Sequence, residues 1–390
     1  MTTLAAQYLE YPSQDLTPQQ ARDGLRRAFD CLPISMILLG WQVSPEIEAA
    51  CAAETARQGA KLYQWHPLLT AEAETPVEWR AQNRHGAPIP GFKDLPEFTF
   101  LCPNRPEVQD FVLARLEKIL QRGVYQGIFL DRIRFPAPFA DPLNQLGCFC
   151  PPCQQKARNL DFDFLRAKLA ELEQDETGRK HLVERLFTEE GNSTSLVSAF
   201  LAFRKQSILN LVKLAGKQVR AHQLAVGLDC FAPSLAHAVG QDYFALEALC
   251  KWIKPMIYPR TLGPAGLPFE LLDLVRWLVK TGTPEPAALE FIAETSGLPL
   301  PASIKNLETH GVSAEVVRLE THRAKLAEVR QVLAGVALVE LPGVNTVQPA
   351  QLAADLAAYR AGGADGLVLS WDLSQIPLAT LEQVAQFLSA

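Results

Sequence analysis

Gly127-Ile128-Phe129-Leu130-Asp131-Arg132-Ile133-Arg134-Phe135-Pro136 opens on an unbroken small and apolar run and then meets an aspartate beside two arginines. A strand with one wet face alternates polar and apolar residues. This run does not alternate, so both of its faces are covered, as in a parallel sheet flanked by helices. The charge starts where the apolar run stops, which puts Asp131 at the strand's carboxyl end.

Working outward, comparable runs recur at residues 34–41, 61–66, 97–102, 224–229, 252–258, 336–340 and 366–371, making eight with 127–131. Segments with helical spacing lie between them. After the third run, Asn104 is a candidate cap, Pro106 suits a first helical turn and Gly123 follows the last. Val108, Phe111, Val112, Leu116, Ile119 and Leu120 then form one apolar stripe. Leu352, Leu356 and Tyr359 repeat the pattern before Gly362-Gly363, and Leu381, Val384, Phe387 and Leu388 repeat it at the end. Eight strand–helix alternations predict an α/β fold of the (βα)8 TIM-barrel type. The fingerprint G-x-G-x-x-G of an open dinucleotide-binding sheet is missing after the first run. The surplus length predicts one barrel domain over 1–390 with insertions after strands two, four and six, at about 69–96, 137–222 and 261–333. Helical runs at 164–172 and 196–219 fall inside the second.

A chain of 390 residues, 48% hydrophobic and 21% charged, is no disordered or collagenous polymer. The formal charge of −6 comes without a basic cluster, so neither a nucleic-acid footprint nor a membrane-surface helix is expected. Residues 1–17 lack the basic start and apolar run of a signal peptide, and the apolar run 34–39 is too short to span a bilayer. A cytoplasmic protein is the expectation. There the eight cysteines are thiols or metal ligands rather than a disulfide framework.

The expected strand ends carry Trp41, Trp65, His66, Cys102, Asp131, Arg132, Arg134, Asp229, Tyr258, Glu340, Trp371 and Asp372. Any one of them has an ordinary structural explanation. Four carboxylates and three tryptophans at one end exceed what barrel stability needs. Flat aromatic surfaces suit the apolar faces of sugar rings, and carboxylates and arginines suit their hydroxyls. Carbohydrate is the partner this set predicts.

The 127–136 segment resembles the strand-four motif Asp-x-Ile-Arg-Tyr-Pro of a group of glycoside-hydrolase-like barrels, with Phe135 in place of the tyrosine. Lys254-Pro255-Met256-Ile257-Tyr258 and Gly366-Leu367-Val368-Leu369-Ser370-Trp371-Asp372 look like the sixth and eighth strands of the same group. The resemblance covers the chain from about residue 34 to its end and implies a sugar-active barrel without a particular substrate. Cys148-Phe149-Cys150-Pro151-Pro152-Cys153, taken with Cys102, is similar to the four-cysteine zinc site of family 42 β-galactosidases. That similarity implies a closed, structural Zn²⁺ site at Cys102, Cys148, Cys150 and Cys153. Strand four of that family ends in an Asn-Glu pair. Here Leu130-Asp131 stands in its place, so β-galactosidase activity is not expected. Cys31, Cys51, Cys230 and Cys250 are isolated and read as core residues.

Glycoside hydrolysis needs two carboxyl groups. One candidate pair is Asp131 as acid/base with Glu340 as nucleophile. The other is Asp131 as nucleophile with Asp229 as acid, favoured by Arg132 and Arg134, because nearby cations hold a carboxylate ionised. Trp41, Trp65, His66, Arg132, Arg134, Tyr258, Trp371 and Asp372 are the expected substrate contacts. A barrel that binds carbohydrate without cleaving it is the alternative. A zinc hydrolase is not expected, since no H-x-H or H-E-x-x-H pairing stands near a strand end.

Overall fold

The computed structural model describes residues 3–188 and 195–389. Among these, eight strands form one parallel sheet: β1 Thr3–Tyr8, β2 Met36–Leu39, β3 Lys61–Pro67, β4 Gly127–Asp131, β5 Ala225–Phe231, β6 Trp252–Met256, β7 Leu333–Ala337 and β8 Gly366–Ser370. Neighbours in sequence are neighbours in space, and β1 pairs with β8. Between β6 and β7 the sheet closes through a parallel bridge of Ile253 to Val332, where the Ile253 N–H donates to the Gln331 carbonyl at 3.0 Å. This is the expected (βα)8 barrel.

One of the eight runs is no barrel strand, and one strand came from no run. Residues 97–102 form no barrel strand: Pro96–Phe98 is a 3-10 turn, and Phe100 and Leu101 make isolated antiparallel bridges to Thr70 and Arg80. Parallel neighbours need a crossover, usually a helix. Residues 69–96 supply only the short 3-10 turns Val77–Trp79 and Phe92–Asp94. The eighth strand is instead β1, in the segment read only for its lack of a leader. The first insertion therefore follows the third strand rather than the second, while the others follow β4 and β6 as expected. The second includes residues 189–194, outside the described residues, and contains the helices Phe162–Glu173, Glu176–Phe187 and Leu196–Ala221. No described helix is long and apolar enough to cross a membrane.

Strand alternation sorts side chains between two layers. Ile37, Leu39, Ile128 and Leu130 pack outward under the helices. Ala5, Met36, Leu38, Tyr63, Trp65, Phe129, Trp252, Leu333 and Val368 fill the interior. Phe129 and Trp252 stack there with centroids 5.0 Å apart. Gly227 makes that possible, because a Cβ on it would fall 2.2 Å from the Trp252 ring. Two residues further along their strands, the same parity brings Gln7, Asp131, Asp229 and Lys254 inward above this aromatic floor. The apolar layer closes the barrel from below, and the layer above it is polar.

The helix after the first insertion, Pro106–Leu120, has Pro at its start as expected, but Asn104 does not cap it. The Asn104 amide donates to Ser207 Oγ at 2.9 Å and Cys153 Sγ at 3.3 Å, tying that turn to the cysteine loop.

Candidate active site

A cleft of about 250 Å³ opens at the carboxyl ends of the strands, lined by Gln7, Glu10, Trp65, Asp131, Arg132, Arg134, Asp229, Lys254, Tyr258 and Trp371 with several smaller residues. It unites seven of the expected site residues: Trp65, Asp131, Arg132, Arg134, Asp229, Tyr258 and Trp371. Gln7, Glu10 and Lys254 are additions.

Asp131 is fixed by its neighbours. Its Oδ2 accepts the Trp65 indole N–H at 2.9 Å, and its Oδ1 accepts the Arg132 backbone N–H. Arg132 has φ +53°, a left-handed turn that swings its side chain back over the cleft. Its guanidinium lies 5.3 Å from the Trp41 ring centroid and 5.2 Å from that of Phe98. Arg134 is clamped between Phe100 and Phe231, at 4.1 and 4.5 Å. Burial lowers its pKa to about 10, opposed by Glu270 and Asp131.

The register pairs Asp229 on β5 directly with Lys254 on β6. Their side chains form a buried ion pair of 2.9 Å, and Lys254 also donates to Gln7 Oε1 at 3.3 Å. Gly335 makes room for the lysine, since a Cβ there would lie 2.7 Å from its Cε. Burial pushes the Asp229 carboxyl up to about 7 against the pull of Lys254, with Asp131 adding to the rise. Lys254 itself is buried, which disfavours its charge, yet Asp229 holds it above the ordinary lysine value. Two polar atoms of this row, Gln7 Nε2 and Asp229 Oδ1, have no hydrogen-bond partner among the described residues. They present one donor and one acceptor. Above them Tyr258 and Trp371 meet edge to face at 5.5 Å.

Four expected residues lie elsewhere. Trp41 and His66 line a neighbouring groove against the helix Pro106–Leu120, a cavity of about 480 Å³ that shares Arg132 and Glu97 with the cleft. His66 follows Trp65 on β3, so strand alternation turns it outward. Burial, with Arg115 nearby, keeps its imidazole neutral. Asp372 supports the backbone: its Oδ1 accepts the Leu9 N–H at 3.0 Å, the Ser374 N–H at 2.9 Å and the Ser374 hydroxyl at 2.7 Å. Glu340 is exposed and outside the cleft lining, because β7 ends at Ala337, three residues earlier than the apolar run suggested.

The four cysteines Cys102, Cys148, Cys150 and Cys153 are buried, with all Sγ atoms within 4.8 Å of one another. Cys102 Sγ lies 3.5 Å from that of Cys150 and 3.4 Å from that of Cys153. Sulfurs about 2.3 Å from one tetrahedral ion stand roughly 3.8 Å apart, so the group could hold a metal. The Gln82 N–H donates to Cys148 Sγ at 3.3 Å, and Asn104 donates to Cys153. Arg204, fully buried, donates to the Ala238 carbonyl and, at 3.4 Å, to the Pro136 carbonyl, with its guanidinium 4.8 Å from the Phe135 ring centroid; burial lowers its pKa to about 9, opposed by nearby Cys148 and Cys153.

No protein-family model matches the chain, and no curated protein matches it. Solved structures share its architecture. The glycoside hydrolase domain of PgaB (BpsB) from Bordetella bronchiseptica is 12% identical with a TM-score of 0.59, over 99% of this chain and 97% of that one. The catalytic domain of a β-amylase from Paenibacillus polymyxa is 9% identical at 0.55, over 99% and 97%. Gan42B, a GH42 β-galactosidase, is 11% identical at 0.56, over 95% of this chain and 51% of that one. At such identities the likeness establishes the fold, a TIM barrel.

Proposed function

We propose that this chain is a glycoside hydrolase acting on an oligosaccharide or glycoside, with Asp131 as its indispensable carboxylate. The observation that carries the reading is the content of one cleft: Asp131 and Asp229, the unpartnered Gln7 Nε2 and Asp229 Oδ1, and the flat surfaces of Trp65, Tyr258 and Trp371. A pocket with an apolar wall and a few convergent polar groups is the usual form of a small-ligand site. Here the wall suits sugar-ring faces and the polar groups suit hydroxyls. The likeness of the 127–136 segment to the strand-four motif of glycoside-hydrolase-like barrels supports the same reading.

Of the two candidate pairs, Asp131 with Asp229 shares the cleft and Asp131 with Glu340 does not. In this reading Asp131, beside Arg132 and accepting two N–H bonds, is the group that meets the anomeric carbon. Asp229 gives one oxygen to Lys254 and keeps the other for a substrate hydroxyl. That commitment also favours the second reading, a barrel that binds carbohydrate without cleaving it. Turnover of aryl glycosides and natural oligosaccharides by the wild type, set against Asp131→Asn, separates the two. Hydrolysis lost in the variant supports the enzyme, and binding without hydrolysis in the wild type supports the lectin-like barrel.

The cysteine group suits a structural Zn²⁺, which would carry no substrate and would tie the loop after β4 to the turn at Cys102. A full set of four thiolates leaves no open coordination position. A cytoplasmic place of action belongs to the same reading and rests on the sequence alone.

A further inference from the structure

Resting on the hydrolase reading, we propose that Glu10, at the carboxyl end of β1, is the proton donor that works with Asp131. The argument starts from strand parity. Gln7 points into the barrel and Tyr8 packs outward, its hydroxyl donating to the Ala21 carbonyl at 2.7 Å. An extended chain would carry Leu9 inward and Glu10 outward. Leu9 instead has φ +57°. A branched aliphatic side chain rarely adopts this left-handed conformation, and such strain persists only where the surroundings impose it. Two contacts impose it here. Asp372 accepts the Leu9 N–H at 3.0 Å, and Gly40 leaves space for the Leu9 carbonyl, which a Cβ at that position would meet at 1.9 Å. The turn reverses the parity: Leu9 joins the core outside the barrel and Glu10 lines the cleft.

Asp131 stands in a matching arrangement, since the residue after it, Arg132, is also left-handed. The cleft thus has a carboxyl group just past β1 and one at the end of β4, each next to a strained residue and each within reach of the Arg132 charge. The charged and titratable groups facing Glu10 are Arg132, Asp131, Asp372, Lys254 and Tyr11, with Glu97 close to Tyr11. Burial raises its carboxyl to about 8, Arg132 opposing and Asp131 adding to the rise, so it holds a proton at neutral pH. In the reaction that proton passes to the glycosidic oxygen as the bond from that oxygen to the anomeric carbon breaks. Asp131, ionised, meets the positive charge developing at that carbon. One water balances the hydrolysis: its hydroxyl goes to the anomeric carbon and its proton restores the carboxyl pair.

The experiment compares wild type, Glu10→Gln, Glu10→Asp and Asp229→Asn on a glycoside that the wild type cleaves and on its aryl analogue with an acidic phenol leaving group, across pH 5–9. Glu10→Gln is expected to lose about 10²–10⁴-fold in kcat on the natural glycoside, less on the aryl one, and to lose the decline in rate at high pH. Glu10→Asp, still an acid, is expected to keep that decline. Thermal unfolding confirms that each variant is folded. Glu10→Gln with wild-type kcat and pH profile overturns the proposal, as does finding this pattern in Asp229→Asn instead. A wild type that cleaves no glycoside overturns the hydrolase reading first, and this inference with it.

Discussion

Asp131 receives one N–H on each oxygen, from Trp65 and from the Arg132 backbone, so its replacement by asparagine has two separable effects. One oxygen becomes an amide and faces a donor, a mismatch that lowers stability by about 1–3 kcal/mol if the group stays dry. The chemistry loses an ionised partner, and turnover should fall by at least about 10²-fold. Calorimetry and kinetics on the same preparation distinguish these effects, and an Asp131→Asn variant that cleaves substrate at the wild-type rate removes Asp131 from the mechanism. Other carboxyls make their mark on stability. Burial raises Glu270 to about 8 despite the Ala265 N–H it accepts and the nearby Arg134, and it raises Glu10 to about 8 and Asp229 to about 7. In the unfolded chain these groups release their protons near pH 4. Between about pH 4 and 8 the folded state therefore holds more protons, and its stability declines as pH rises. Glu270→Gln keeps the acceptor and removes the titration, so its melting temperature should gain on the wild type progressively from pH 4 to pH 8. A constant difference over that range would refute the assignment. Asp131, Arg132 and Arg134 were legible in the sequence because the charge follows an apolar run. Glu10 was not, since its place depends on the backbone angle of Leu9, and Lys254 was hidden by sitting inside a run where a cation would ordinarily be unfavourable.

At the level of elements, β1 escaped a reading based on apolar runs because Leu4-Ala5-Ala6-Gln7-Tyr8 pairs two alanines of weak strand propensity with a glutamine. The glutamine is the informative residue, as it faces a polar interior beside Lys254. Residues 97–102 were apolar enough to mislead, yet the absence of any helical stripe between 69 and 96 already argued against a parallel partner there. Helix caps were read less well than helices: Asn104 does not cap Pro106–Leu120, while Thr17 with Gln20, a reciprocal capping box before Pro18–Cys31, and Ser44, which caps Pro45–Arg57, were passed over. The barrel interior sets a sharper test. Gly227→Ala would press a methyl group against the Trp252 ring and should cost about 1–3 kcal/mol in denaturant unfolding. Trimming the ring in the background of that variant, by Trp252→Leu, should cost less than the same change in the wild type. Additive costs would mean that the two residues do not share the space.

Across the whole molecule, the long segments after β3 and β4 meet at the four cysteines. Cys102 ends the first, while Cys148, Cys150 and Cys153 belong to the second, which also sends Arg204 back to the same place from the helix Leu196–Ala221. The sequence singled out the four cysteines, but not the buried arginine, whose place depends on the tertiary contact between two insertions. If these sulfurs hold Zn²⁺, the metal crosslinks segments that start on neighbouring strands, and its binding energy is part of the folding energy. Protein purified without added metal should then carry close to one zinc per chain by elemental analysis. Cys148→Ser should lose that metal and unfold at lower temperature. Arg204→Met gives the complementary test: without its counter-charge the thiolate cluster should hold zinc less tightly against a competing chelator, although no ligand has been touched. Zinc near zero in the wild type, or an unchanged melting temperature after complete metal removal, would leave the cysteines as packed thiols, with Arg204 held by the Ala238 and Pro136 carbonyls and the Phe135 ring.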